Sequence, residues 1–139
     1  MIRIVAIALT VACAPAALAQ SVTFSPGKWS YEGTARMGPA TLSDTGDECF
    51  EAGDNAYNLS EAAASIAPGC ALVTASPIEA GYSFQLACTG DIKGELSGQI
   101  TVGEQAGRLV AEGWTGSQDT PVNLSVTATA RRIAETCGG

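Results

Sequence analysis

Gly90-Asp91-Ile92-Lys93-Gly94-Glu95-Leu96-Ser97-Gly98-Gln99-Ile100-Thr101-Val102 is the stretch that decides the fold. Its even positions, Gly90, Ile92, Gly94, Leu96, Gly98, Ile100 and Val102, are glycine or aliphatic. Its odd positions, Asp91, Lys93, Glu95, Ser97, Gln99 and Thr101, are all polar. A period of two sends alternate side chains to opposite faces of a strand, here one face to an interior and the other to water. Glycine alternating with a large aliphatic is the small/large rhythm of a barrel lining, and glycine also permits sharp coiling of the strand.

The same rhythm recurs on either side. From Lys28, the residues Trp29, Tyr31, Gly33, Ala35 and Met37 share a face against Lys28, Ser30, Glu32, Thr34 and Arg36, and Met37-Gly38-Pro39 ends the run. Near the C-terminus Val122, Leu124, Val126, Ala128 and Ala130 point inward against Asn123, Ser125, Thr127, Thr129 and Arg131. Residues 70–76 and 82–88 flank a hairpin connection centred near Glu79, a register that sets Cys70 opposite Cys88 and Leu72 opposite Leu86. Tyr82, Phe84, Leu86 and Cys88 then share a face. Between Arg108 and Thr115 the phase is ambiguous, because Leu109 and Trp114 fall on opposite sides.

Residues 40–57 are polar, acidic and without sustained periodicity. They read as a long connection, with room for a short edge strand around Leu42. One helix follows. Asn58 and Glu61 have capping-box spacing, with Ser60 as a rival start; Leu59, Ala62, Ala63 and Ile66 form an apolar stripe, and Pro68-Gly69 stops it. The expected fold is mainly β: an antiparallel meander of long strands coiled into a small barrel or half-barrel, with one short helix and two disulfides.

The disulfides follow from compartment and register. Residues 1–19 have the form of a cleaved secretory signal, with Arg3 before the apolar run Ile4 to Ala12 and Ala17-Leu18-Ala19 before Gln20. Thr10-Val11-Ala12 is a poor lipobox, so Cys13 is expected to leave with the signal rather than carry a lipid. The mature part, residues 20–139, is then a single periplasmic or secreted domain with four cysteines: Cys49, Cys70, Cys88 and Cys137. Cross-strand neighbours in the hairpin select Cys70–Cys88 and leave Cys49–Cys137.

Composition removes whole classes of function. The chain of 139 residues has no histidine, which excludes a Ser-His-Asp triad, a Cys-His pair and a histidine metal site. No two cysteines have CxxC spacing, so no zinc site is expected. Without residues 1–19 the chain has 6 basic and 14 acidic side chains, a net charge of −8. Such a surface repels phosphate, so nucleic acid is not an expected partner. No membrane span is expected either, since the apolar run at the N-terminus is short and abuts a cleavage motif.

Pro26-Gly27-x-Trp29 opening the first strand, then Cys49, Cys70, Cys88-Thr89-Gly90 and Arg131-Arg132 shortly before Cys137, resemble the bacterial exported family catalogued as domain of unknown function 3617. The similarity covers essentially the whole mature chain. It implies an exported β-rich domain and supplies no catalytic residues.

The remaining candidates for chemistry are few. Asp44, Asp47, Glu48, Glu51 and Asp54 crowd one Gly-bearing segment, but their spacing does not match a calcium loop. Glu95 and Glu104 would need burial to act as an acid/base pair, and the strand phase puts Glu95 outward. No catalytic residue, cofactor or metal is therefore expected. The small residues Gly33, Ala35, Gly94, Gly98, Ala111, Gly113, Ala128 and Ala130 leave the interior thin. Either the 59–66 helix fills it, the favoured outcome because interiors are close-packed, or an apolar pocket remains, lined by Trp29, Tyr31, Phe84, Leu86, Leu96 and Ile100. Trp114 with Val110 is a second candidate, a partner patch on the outer surface. The expected function is a non-enzymatic exported module that binds a small apolar ligand or an exported protein. A structural or inhibitor-like protein acting by surface contact is the alternative, with a carboxylate-based hydrolase below both.

Overall fold

The computed structural model describes residues 20–66, 69–90, 93–117 and 119–138. The elements are β1 (Ser21–Thr23), β2 (Gly27–Met37), β3 (Ala40–Phe50), β4 (Ala56–Asn58), α1 (Leu59–Ile66), β5 (Cys70–Ile78), β6 (Gly81–Thr89), β7 (Lys93–Val102), β8 (Ala106–Gly116) and β9 (Pro121–Ala134). Seven of the strands form one antiparallel sheet in the order β3-β2-β9-β8-β7-β6-β5, while β1 and β4 pair in a small separate ladder. The sheet does not close on itself, so the molecule is a half-barrel with β3 and β5 as its edges. The sequence rhythm applies to the order of β5 to β9, a true meander. The β2–β3 hairpin is not next in that series; it joins because β9 returns to pair with β2.

Residues 40–50 are an eleven-residue strand, not a connection with a short edge strand. β3 pairs with β2 from Gly27↔Phe50 to Met37↔Ala40 without a break, turning through Gly38 at φ 57°. Periodicity fails to announce it for a physical reason. Of its inner-face residues, Ala40, Leu42, Asp44 and Glu48 are exposed and Gly46 is half-buried, so burial imposes no apolar pattern. The backbone ladder to β2 holds it in place instead.

The hairpin register is as expected, with Cys70↔Cys88 and Leu72↔Leu86, and a bulge near Val73 that then moves Ala75 opposite Phe84. Both disulfides, Cys70–Cys88 and Cys49–Cys137, are present. β8 resolves its own ambiguity: Leu109 lies opposite Ile100 and Ala128 on the inner face, and Trp114 opposite Glu95 and Asn123 on the outer one. Ile92 and the proposed signal lie outside the described residues.

Two clusters hold the inner face. Ala63 of α1 packs on Leu86, Leu96 and Ala111, with Phe84, Leu124 and Val126 around them, which is the helix-filled outcome. Asn58 caps that helix, its Oδ1 accepting from the backbone N–H groups of Ser60 at 2.9 Å and Glu61 at 3.3 Å. Of the expected stripe, Leu59 and Ala63 are buried; the Ile66 side chain lies outside the described residues. Gly98 shows why this end of the sheet is glycine-rich: an added Cβ would sit 2.8 Å from the Ala111 Cβ and closer still to the Val110 carbonyl. The second cluster is aromatic. Phe24 stacks on Phe50 at 4.6 Å, and Trp29 and Tyr57 meet both rings edge-on.

Candidate functional site

The six residues expected to line one pocket share the inner face but do not enclose one space. Trp29, 1% exposed, is sealed among Phe24 and Phe50, and its indole N–H donates to the Ser25 carbonyl at 2.9 Å. Leu86 and Leu96 are buried beneath Ala63, and Phe84 packs against the same cluster. These four are core. For Phe84, Leu86 and Leu96 the physical cause is the helix, whose Ala63 packs on their part of the sheet; for Trp29 it is the aromatic cluster.

Tyr31 and Ile100 have a different environment. With Phe24, Val102, Leu109 and Ala128 they line an apolar hollow of about 120 Å³ on the inner face. Tyr31 is 38% exposed, and its ring lies across Gly46 on β3, where an added Cβ would fall 2.6 Å from the phenol oxygen. Glycine at 46 is what allows the ring to lie flat on the neighbouring strand. Further along this face, Met37 is 41% exposed and Leu42 67% exposed. Sequence phase places Met37 correctly on the inner side, but Leu42 and Gly46 go unassigned because β3 itself is not legible.

Carboxylates border this uncovered region. Asp44 and Glu48 alternate with Leu42 and Gly46 on the inner face of β3, and Glu51 and Asp54 follow in the next turn. The five acids therefore do not share one loop: β3 separates Asp47 from Asp44 and Glu48 onto the outer face, where Lys28 reaches it at 3.7 Å. Among the described residues no group of three or more acids and cysteines is arranged to hold a metal ion. The acids do create a negative field. Burial first, and then the charges of Glu48 and Asp54, raise the Tyr57 phenol above its ordinary pKa.

The outer face offers less for recognition. A hollow of about 880 Å³ there is lined by Glu32, Asp47, Arg108 and Arg131 among serines and threonines, and these opposite charges give it no single sign. Trp114 and Val110 both lie on this face and are half-buried, but Glu112 stands between them on β8. Their cross-strand neighbours, Glu95 and Asn123 for Trp114 and Gln99 and Thr127 for Val110, are polar. They form no continuous apolar patch. Glu95 and Glu104 are exposed, without the burial that acid/base chemistry requires.

No helix among the described residues is long and apolar enough to cross a membrane. No family model, curated protein or solved structure matches the chain.

Proposed function

We propose that this protein is an exported, non-enzymatic binding module that engages a protein partner on the uncovered half of its inner sheet face. One observation carries the reading. A single face of one sheet is covered by α1 at one end and bears exposed Tyr31, Met37 and Leu42 at the other. Large apolar side chains exposed along one sheet face of an exported domain favour a recognition surface over a merely solvated one.

On this face, size favours a protein partner over a small molecule. Sites for small molecules occupy roughly 300–1,000 Å³. The inner hollow, at about 120 Å³, suits a single side chain and not a ligand of that class. An anchor side chain seated there from a partner, with Tyr31 at its rim, is the arrangement protein interfaces concentrate their energy in. Two disulfides and the proposed signal at 1–19 support export, and the Pro26-Gly27-x-Trp29 opening with its four cysteines supports placing the chain with the family it resembles.

The test uses the neutral dye Nile red and the disulfide-bonded protein from Gln20 onward. Dye fluorescence should rise with the native protein and fall in the Met37→Gln/Leu42→Gln variant, whose substituted side chains are exposed and leave the core intact. No rise, or an equal rise in the variant, rejects the surface.

A further inference from the structure

We propose that β3 is a docking edge: it takes an extended segment of the partner as an eighth strand, one whose inner-facing residues alternate basic and apolar. The proposal rests on the binding face just described, which β3 borders.

The two edges of the sheet differ in a way that matters for strand addition. β5 carries Pro77, which has no N–H to donate, and a register shift between Leu72 and Thr74. Both features discourage a further strand. β3 has neither. Among the described residues it is paired on one side only, by β2, in unbroken register over eleven residues and without proline. Its other side presents a row of backbone donors and acceptors to solvent, a template for another strand.

The side chains of β3 specify which strand. On the inner face Leu42, Asp44, Gly46 and Glu48 succeed one another, with the Tyr31 ring lying over Gly46. Neither Asp44 nor Glu48 has an ion-pair partner within 4 Å among the described residues, whereas Asp47 on the other face has Lys28. In a two-fold pairing of two copies centred on Gly46, these two carboxylates would face each other, Asp44 directly against Glu48. An antiparallel partner strand would instead place a basic residue beside Glu48, an apolar one beside Tyr31, a basic one beside Asp44 and an apolar one beside Leu42. Between them, Thr41, Ser43 and Thr45 on the outer face call for polar residues.

The corresponding probe is the capped peptide Lys-Thr-Val-Thr-Lys-Thr-Val-Thr. Its control, Lys-Val-Thr-Thr-Lys-Val-Thr-Thr, has the same composition but puts lysine and valine on opposite faces. Titration calorimetry should show binding of the first peptide and weaker binding of the second. Amide protons along β3 should exchange more slowly in the complex, with those along β5 unchanged. Asp44→Asn with Glu48→Gln should weaken binding by about three- to tenfold, as expected for two exposed charge pairs. The proposal is overturned by equal binding of the two peptides, by β3 amides that keep their exchange rates, or by a dimer joined through β3 in sedimentation. If Nile red still reports the Met37 and Leu42 surface while the peptide fails, the docking edge alone falls; if dye and peptide both fail, the binding face falls with it.

Discussion

Gly27 has no side chain because none fits. Its φ is 139°, a Cβ there would run into the Ala134 carbonyl, and Arg132 Nε lies 3.0 Å from the same point while donating to the Pro26 carbonyl at 3.0 Å. Two residues on, Trp29 enters the core. The Pro26-Gly27-x-Trp29 opening is thus a device for passing β9 closely over the start of β2 and then filling the space beside it. Of this, only the inward phase of Trp29 is legible in the alternation of residue types. The rings that receive Trp29 are not, because Phe24, Phe50 and Tyr57 come from separate segments and their meeting depends on how the chain returns. Tyr57 also makes the fold sensitive to alkali. Its phenol is held above the ordinary pKa, so the folded state favours the neutral form; that contribution is present below the ordinary value and is lost as pH rises through the folded one. Urea midpoints measured between about pH 9 and 11 should therefore fall more steeply for the native protein than for Tyr57→Phe. Parallel profiles would assign the alkaline loss to other groups.

At the scale of elements, α1 and β3 illustrate opposite ends of legibility. An eight-residue helix is marginal alone, so α1 depends on its cap and on the packing of Ala63. The cap and the apolar stripe are local to its sequence, which is why its bounds can be read directly, whereas the surface that Ala63 packs on comes from distant strands. Asn58→Ala should cost about 1 kcal/mol in urea unfolding, since it strands the Ser60 and Glu61 N–H groups, and Asn58→Asp should retain most of the stability. If alanine were as stable as asparagine, the cap would be ornamental. β3 is held by a ladder to β2 instead of by burial, and a ladder leaves no trace in hydropathy. The candidate site inherits that silence: Tyr31 and Met37 can be placed on the correct face, but their exposure cannot be foreseen without knowing that β3 lies beside them and that α1 ends short of them.

Across the whole molecule, the disulfides close loops of very different length. Cys49–Cys137 spans 88 residues and ties the edge strand to the C-terminal segment, whereas Cys70–Cys88 spans 18 within one hairpin. Chain entropy alone assigns about 4–5 kcal/mol to the first and about 3 kcal/mol to the second. Replacing each pair by serines and comparing urea unfolding should reproduce that order, and the intact mass should rise by four hydrogens on reduction of both. A larger loss from the hairpin pair would mean that its bridge supports the helix-bearing core beyond its entropic share. By itself the sequence determined the strands that bury one face, the helix, the hairpin register and both cysteine pairings, because each is written in spacing between residues that interact nearby or alternate in and out. Only the tertiary structure decided the return of β9 to β2, the existence of β3, and which part of the inner face α1 covers. Those depend on where distant segments arrive, and an uncovered face or an edge ladder places no demand on the pattern of side chains that a reader of the sequence would detect.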